Sequence, residues 1–246
     1  MKLLKDLSLV IVLVMVMASC QKKKEVFKIP KGYVGMFGFG CLMSKKFIET
    51  GLLVNQYDGP FLSAHLSKHR RSWTFAWPAD LPLVQTDGKY YKNFVVMAGD
   101  TIFPQNLLYL NIKEDPNSSV NGVLYIVKEE DLPTYDGWEL GYERFEVTDL
   151  ISDFVIEGGP VFAYRALPEF TLAPSSDIKR NVIEQEYVDI IKDAFGYWGA
   201  DFEAEYKKEI APFDSSIIQK TQRVLWENPP MEKVNELKAS FNYSKK

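Results

Sequence analysis

The sequence predicts an α+β fold, because strand-like segments fill its first two thirds and helix-like segments its last third. Short aromatic and β-branched runs bounded by glycine or proline follow one another from residue 33 to residue 164. From residue 183 the apolar residues recur instead at intervals of three and four, as on one face of a helix. Strands first and helices last favour α+β over a doubly wound sheet.

Seven segments have the composition or the alternation of β-strands. The first ends in two closely spaced glycines, so we expect it to enter a tight loop. The turn-forming run Asp115 to Ser119 is expected to separate two strands. The predicted strands are Tyr33 to Gly40, Trp73 to Trp77, Phe94 to Met97, Leu107 to Ile112, Val120 to Val127, Tyr142 to Thr148 and Val161 to Tyr164.

Three segments near the C-terminus have helical patterns. In Ile183 to Trp198 the apolar residues form a single stripe. Two further helices are predicted at Ser215 to Trp226 and at Met231 to Phe241, with two prolines between them. We expect one domain over residues 32–211 and a C-terminal helical extension over residues 212–246.

The N-terminal segment has the pattern of a bacterial lipoprotein signal peptide. Two lysines precede an apolar run, Leu7 to Met17, that is too short to cross a bilayer as a helix. The run leads into Met-Ala-Ser-Cys, so cleavage before Cys20 would leave a lipid on that cysteine. We therefore expect a signal peptide over residues 1–19, a polar tether over residues 20–31 and a lipid anchor in the membrane of a bacterial cell envelope. An ordinary signal peptide or an uncleaved anchor is the alternative.

The composition argues against several classes of function. Hydrophobic residues make up 46% of the 246 positions and charged residues 25%, so a packed core is expected. The net charge of −4 argues against a nucleic-acid partner, because binding phosphates requires clustered lysine and arginine. Two cysteines and two histidines argue against a disulfide scaffold, a four-cysteine metal site and a three-histidine zinc site. Lipidation of Cys20 would leave Cys41 as a free thiol.

The glycine-flanked loop after the first predicted strand is the first candidate binding element. Its glycines let a ligand approach the backbone, and N–H groups that line such a loop can hold a carboxylate or a phosphate. The loop lacks the third glycine of a dinucleotide fingerprint and the Gly-Lys-Ser/Thr of a P-loop. An ordinary turn is the alternative interpretation. The candidate residues are Gly38, Phe39, Gly40, Cys41, Leu42 and Met43.

Glu139 is the second candidate, because it stands between two apolar residues, Trp138 and Leu140. In an apolar pocket, loss of solvation would raise the pKa of this carboxyl group and make it a usable base near neutral pH. The alternative interpretation is a surface carboxylate in a loop.

Taken in order, these segments resemble the gamma-glutamylcyclotransferase-like superfamily. Its loop of the form Tyr-Gly-Ser-Asn/Leu-Leu/Met is matched by Phe39 to Met43, and the resemblance extends from Tyr33 to Ala211. Its Asp-x-x-Glu…Tyr-x-Arg segment is matched by Asp136, Glu139, Tyr142 and Arg144. The other matches are a basic-aromatic strand at Lys68 to Phe75, a Gly-Val-Leu-Tyr strand at Gly122 to Tyr125, a helix start at Glu129 to Leu132, the late strand tyrosine Tyr164 and the closing helix Glu186 to Gly196.

The resemblance implies a small mixed β-barrel with flanking helices and one cavity at its mouth. Enzymes of this superfamily release 5-oxoproline from gamma-glutamyl amines or peptides, as the glutamyl α-amino group attacks its own γ-carbonyl. Glu139 would act as base and then as acid, and the loop 38–43 would hold the α-carboxylate and the γ-carbonyl through backbone N–H groups. Tyr164 would hydrogen-bond the substrate or orient Glu139. The expected partner is a small gamma-glutamyl substrate, with no metal and no organic cofactor.

The sequence departs from the superfamily at the loop and beside the acid. Phe39 replaces a tyrosine, Cys41 replaces a serine, and Leu140 replaces a glycine that follows the acid in many members. Three alternatives stay open. The first is a non-catalytic envelope lipoprotein of the same fold that binds a small amino-acid-like ligand, and the second is a related cyclisation or amine transfer on another substrate. The third is a Cys41 nucleophile with His65 or His69 as base.

Overall fold

The computed structural model describes residues 24–52, 56–82, 89–173 and 175–240 of the chain. Within these residues a mixed sheet is flanked by helices, which confirms the predicted α+β class. The strands are β1 Glu25–Lys28, β2 Tyr33–Gly38, β3 Phe61–Pro78, β4 Tyr91–Met97, β5 Asp100–Ile102, β6 Asn106–Lys128, β7 Tyr142–Glu146, β8 Phe154–Glu157, β9 Val161–Ala166, β10 Asn181–Glu184, β11 Ile218–Gln219 and β12 Gln222–Leu225. The helices are α1 Lys45–Phe47, α2 Leu132–Trp138, α3 Gln185–Trp198, α4 Ala200–Glu209 and α5 Met231–Ser240.

Five strands form a ring that corresponds to the small mixed barrel implied by the resemblance. β6 lies between β3 and β2 and is antiparallel to both, and β2 continues the sheet through a parallel pairing with β9. β7 is antiparallel to β9. An isolated bridge between Leu66 of β3 and Ile151, shortly after β7, joins the two ends of the sheet. β10 pairs with the first residues of β6, and β11 pairs with β10, so these two strands extend the sheet.

The ribbon of β3 with β6 corrects one sequence prediction. The two strands pair along their lengths, so β6 continues through the segment Asp115 to Ser119, where a turn was predicted. That prediction is wrong. Between the pairs Ser67–Ser119 and His69–Glu114, β6 has three more residues than β3, and they form a bulge. Two hydrogen bonds to the Asp115 carboxylate stabilise the bulge.

The helical part confirms one prediction and adds a helix that was not predicted. α3 covers most of the predicted stripe, but Ile183 lies in β10, so the helix begins two residues later. α4 was missed because only Phe202 and Tyr206 among its residues are buried. Both rings pack against Phe195 of α3, and this contact fixes α4 beside the barrel.

The C-terminal extension is only partly helical, which corrects the prediction for residues 212–246. α5 confirms the last predicted helix as far as residue 240. The helix predicted at Ser215 to Trp226 is wrong, because β11 pairs with β10 and β12 pairs with β4. β12, β4 and β5 thus form a small separate sheet that joins the C-terminal segment to an earlier hairpin.

The start of the described chain corrects the predicted tether over residues 20–31. β1 pairs in parallel with β8, and Phe27 and Ile29 are buried. Residues 25–29 therefore belong to the folded part, and a tether would end ahead of them. Residues 1–19 and Cys20 lie outside the described residues. None of the described helices is long and apolar enough to cross a membrane.

Candidate active site

A small cavity lies where β2 passes into the loop that the sequence analysis selected. Its volume of about 20 Å³ is roughly the space of one water molecule. The loop, β6, the end of α2, β7, β9 and α3 all contribute to its walls. Every predicted catalytic or substrate-binding residue lines it except Gly38 and Met43. The lining residues are Phe37, Phe39, Gly40, Cys41, Leu42, Leu110, Glu139, Tyr142, Tyr164 and Tyr187.

A larger groove of about 440 Å³ lies on the outside of the sheet and is lined by Lys113, Glu114, Arg165 and their neighbours. The groove is wide open, and its charged side chains lie at the surface. There Arg165 forms ion pairs with Glu114 and Glu143. Exposed ion pairs of this kind are common on protein surfaces. The smaller cavity is the better candidate because it alone of the two contains a buried titratable group.

Glu139 is the acid of the small cavity. It caps α2, with its N–H donating to the Tyr135 carbonyl and its carbonyl accepting from the Tyr142 N–H, each at 3.0 Å. Burial, and then the nearby Asp136 carboxylate, raise the pKa of Glu139 to about 7. Within the described part of the chain, neither a hydrogen bond nor an ion pair offsets this rise. A carboxyl group that titrates near neutral pH can accept a proton and return it during one reaction.

Asp136 and Tyr164 form a buried pair beside Glu139. The Tyr164 hydroxyl donates to Asp136 Oδ1 at 2.8 Å, and Arg144 Nη1 lies 3.4 Å from Oδ2. Burial raises the pKa of Asp136, while the hydrogen bond from Tyr164 and the charge of Arg144 act in the opposite direction. Tyr164 was expected to contact the substrate or to orient Glu139. In the structure Tyr164 lines the cavity, and its hydroxyl holds the Asp136 carboxylate, which contributes to the raised pKa of Glu139.

Five tyrosines surround Glu139. Burial raises the pKa of each, and the negative charge of Glu139 adds to the rise. These phenols therefore stay protonated and remain hydrogen-bond donors at any physiological pH. Only Tyr164 among them was predicted from the sequence as a residue of the site. The five are Tyr125, Tyr135, Tyr142, Tyr164 and Tyr187.

Two glycines let the loop fold tightly. A Cβ atom on Gly38 would lie 2.6 Å from the Leu42 carbonyl oxygen, and one on Gly40 would lie 2.7 Å from the Tyr187 hydroxyl oxygen. The Met43 N–H donates to the Gly40 carbonyl at 3.0 Å and begins a single tight turn. A side chain at either position would collide with a neighbouring atom of the protein. Both glycines are therefore needed for the loop to follow its path beside the cavity.

Cys41 stands where the resemblance expects a serine, and its sulfur lies close to the local donors. The backbone N–H groups of Cys41 and Leu42 and the Tyr187 hydroxyl act on Sγ so as to lower its pKa, each less strongly than burial raises it. A substrate group that approaches these N–H groups would therefore compete with the thiol. Burial, and then the Glu139 carboxylate, raise the pKa of Cys41 well above its ordinary value, so the thiol stays protonated.

The two histidines proposed as a base for Cys41 are bound elsewhere. His65 lies between the carboxylates of Asp153 and Glu205, and His69 Nδ1 contacts a backbone carbonyl. Among the described residues that line the cavity there is no histidine. A protonated thiol without an adjacent histidine does not support the predicted pair of a Cys41 nucleophile and a histidine base.

Arg71 is a buried cation that supports the loop from behind. Its Nε donates to the Phe39 carbonyl at 3.0 Å, and Nη1 and Nη2 donate to the side chain and the carbonyl of Asn121. The guanidinium lies 4.2 Å from the ring centre of Tyr206. The sequence analysis placed Arg71 only within a basic-aromatic motif. Arg71 is completely buried, but nothing in a run of basic residues indicates which of them is buried.

Comparisons with known proteins found similarity among solved structures. No family model and no curated protein matches the chain. It is similar in structure to a gamma-glutamyl cyclotransferase (TM-score 0.47, 16% identity, 84% of this chain and 99% of the other). It is also similar to an uncharacterized protein from Homo sapiens (TM-score 0.45, 17% identity, 85% and 99%). A third similar structure is a yeast gamma-glutamyl cyclotransferase specific to glutathione (TM-score 0.39, 10% identity, 72% and 95%). At these identities the activity of the chain has to be inferred from its own cavity.

Proposed function

We propose that the chain is a member of the gamma-glutamylcyclotransferase-like superfamily and that it releases 5-oxoproline from gamma-glutamyl amines or peptides. The observation that carries the proposal is Glu139, a carboxyl group with a pKa of about 7 on the wall of a cavity beside the loop after β2. An intramolecular acyl transfer needs one group that moves a proton between two nitrogen atoms, and Glu139 is suited to that task.

Glu139 would carry one proton through the reaction. The substrate α-ammonium first loses its extra proton to solvent, and the free amine attacks the γ-carbonyl carbon. The Glu139 carboxylate takes a proton from the attacking nitrogen. The bond from the γ-carbon to the leaving nitrogen then breaks, and Glu139 returns the proton to that nitrogen, so that 5-oxoproline and a free amine are formed. Because both reacting groups belong to one bound molecule, holding it in a folded conformation supplies much of the rate.

Access to Glu139 requires movement at the mouth of the cavity. A volume of about 20 Å³ is too small for a glutamyl group. Cys41, Glu139 and Tyr187 are the lining residues that are partly exposed, and they form the mouth. Displacing the Cys41 sulfur would also free two backbone N–H groups for the γ-carbonyl oxygen.

Replacing Cys41→Ser should therefore increase turnover. The shorter side chain enlarges the mouth, and its hydroxyl still accepts the hydrogen bond from Tyr187. We expect kcat/KM for 5-oxoproline release to rise by up to about tenfold, which corresponds to about 1.4 kcal/mol in the barrier. Steady-state kinetics measure the change. A loss of more than about a hundredfold in a folded variant would instead assign the reaction to a Cys41 nucleophile.

The tightness of the site favours a second candidate function. The small volume and the thiol over the loop N–H groups both hinder a glutamyl group from reaching Glu139. These observations suit a protein of the same fold that binds a small amino-acid-like ligand at the mouth of the cavity, away from Glu139, without converting it.

Product analysis separates the two candidates. The full-length chain is incubated with glutathione, gamma-glutamyl amino acids and gamma-glutamyl amines, including one formed on lysine. Equal amounts of 5-oxoproline and free amine support the cyclotransferase, and the panel identifies the preferred leaving amine. Saturable binding without product supports the second candidate. Glutamate as the product would mean hydrolysis by water and would contradict both.

We also propose that a lipid on Cys20 anchors the chain in the envelope of a bacterial cell, a proposal supported by the sequence pattern around Cys20 alone. Intact-mass spectrometry of the membrane-bound protein, beside Cys20→Ser, tests it. We expect a chain that begins at residue 20 and carries added acyl groups. An uncleaved chain, or a cleaved chain without lipid, would overturn the proposal.

A further inference from the structure

We propose that His65, Glu205 and Glu209 form a binding site for a divalent transition-metal ion, separate from the Glu139 cavity. One ligand atom of each residue lies within 4.8 Å of the other two. His65 belongs to β3, and the two glutamates are four residues apart on α4, so they lie on the same face of that helix. The site therefore combines one imidazole and two carboxylates from two regular elements.

The spacing of these atoms suits a metal ion after small side-chain movements. A zinc ion binds imidazole nitrogen and carboxylate oxygen at about 2.0–2.2 Å, which places neighbouring ligand atoms about 3.4 Å apart. His65 Nε2 and Glu205 Oε1 are 2.8 Å apart, so this pair would separate slightly to admit an ion, whereas Glu209 would move closer. Glutamate side chains can close the remaining distance by rotation while the helix and the strand stay in place.

Asp153 gives His65 the support that metal-binding histidines usually have. Its two carboxylate oxygens lie 3.1 and 3.2 Å from Nδ1, and one of them also accepts the His65 backbone N–H at 2.6 Å. A carboxylate at Nδ1 keeps the proton on that nitrogen and leaves the lone pair of Nε2 for a metal. In this tautomer, Nε2 and Glu205 Oε1 are both acceptors. A contact of 2.8 Å between them requires a cation, either a second proton or a metal ion.

The charges around the site favour a doubly charged ion. Three carboxylates, those of Asp153, Glu205 and Glu209, lie at the site. Arg71 is the buried cation that faces Glu205 and Glu209. A divalent ion would be attracted by the carboxylates that Arg71 does not offset.

The nature of the ligands selects the ion. One imidazole and two carboxylates suit Zn²⁺ or Mn²⁺ and disfavour Mg²⁺, which prefers oxygen ligands alone. Glu209 Oε2 already accepts the Asn121 N–H at 2.7 Å, so its other oxygen is the one that would bind. Asn121 also accepts from Arg71, so the site is attached to the residue that supports the active-site loop.

Metal titration of the tag-free full-length chain tests the site. Isothermal titration calorimetry with Zn²⁺, Mn²⁺ and Mg²⁺ should give one bound ion per chain and an affinity order Zn²⁺ > Mn²⁺ > Mg²⁺. His65→Gln and Glu205→Gln should each abolish this binding. Asp153→Asn should weaken it by about 10- to 100-fold, because it removes support for the ligand and not the ligand itself. Glu203→Gln, on the same helix, is the matched control and should bind as the native chain does.

The thermal stability of the same variants provides a second readout. Zn²⁺ at about a hundred times its dissociation constant should raise the melting temperature of the native chain by about 5 °C or more. The rise should be absent in His65→Gln, provided that this variant unfolds cooperatively without metal. The proposal is overturned if the native chain binds no Zn²⁺, or if His65→Gln and Glu205→Gln bind it as tightly as the native chain and Glu203→Gln do.

Discussion

Replacing Glu139→Gln is expected to reduce kcat/KM for 5-oxoproline release by a factor of about 10²–10⁴. The amide keeps the shape of the side chain but cannot accept a proton from the attacking nitrogen, and general acid–base catalysis contributes rate factors of this size. Kinetics with the best substrate of the panel measure the effect. Glu129→Gln, an exposed position at the start of the same helical segment, is the matched control and should have native activity.

Glu139→Gln should also leave the protein folded and make it more stable than the native chain at alkaline pH. The pKa of Glu139 lies at about 7 in the folded chain, above its ordinary value of 4.5. Ionisation of this group therefore lowers stability as the pH rises from 4.5 to 7, and the loss is complete above 7. Glutamine does not ionise. The free energy of unfolding of Glu139→Gln should therefore exceed that of the native chain by about 1–3 kcal/mol at pH 8 and equal it near pH 4. An inactive variant that is also unstable at pH 8 would contradict this explanation.

Replacing Arg71→Met should have the largest effect on stability and should also impair the loop. The substitution leaves the Phe39 carbonyl and both Asn121 oxygens without their buried donor, which costs about 3 kcal/mol of unfolding free energy. Because Phe39 lines the cavity, we also expect kcat/KM to fall by at least about tenfold in the fraction that folds. Urea denaturation and kinetics on the same preparation measure both effects.

Arg70→Met is the matched control for that experiment. Arg70 is the preceding residue of β3, carries the same charge and is exposed. It should change stability by less than about 0.5 kcal/mol and leave the kinetics unchanged. Equal destabilisation by the two substitutions would show that the buried contacts of Arg71 do not support the loop.

The parts of the fold that could be predicted are those whose signal is local in the sequence. The strand and the glycine-rich loop at residues 33–43 were found because an aromatic and β-branched run followed by closely spaced glycines specifies that geometry locally. Glu139 was found because a motif of neighbouring residues places it at the end of α2, next to β7. The structure then brings the loop and the acid to one cavity.

The parts that were missed depend on partners far away in the sequence. The segment Ser215 to Trp226 has apolar residues at helical intervals, yet it pairs with β10 and β4 because those edges are available in the folded chain. Residues 25–28 are only four, two of them charged, and their strand forms through pairing with β8. Arg71 looks like any surface arginine until Asn121 and Tyr206 surround it. Tertiary contacts decide each of these cases.

The most direct measurement on Glu139 is the pH dependence of 5-oxoproline release by the full-length chain. If the carboxylate is the base, the ratio of kcat/KM of the native chain to that of Glu139→Gln should fall about tenfold for each pH unit below 7 and level off above 7, because this ratio cancels the titration of the substrate amine. A ratio that does not change between about pH 5 and 8, or no 5-oxoproline at any pH from a folded chain, would contradict the assignment of Glu139 as the base of a cyclotransferase.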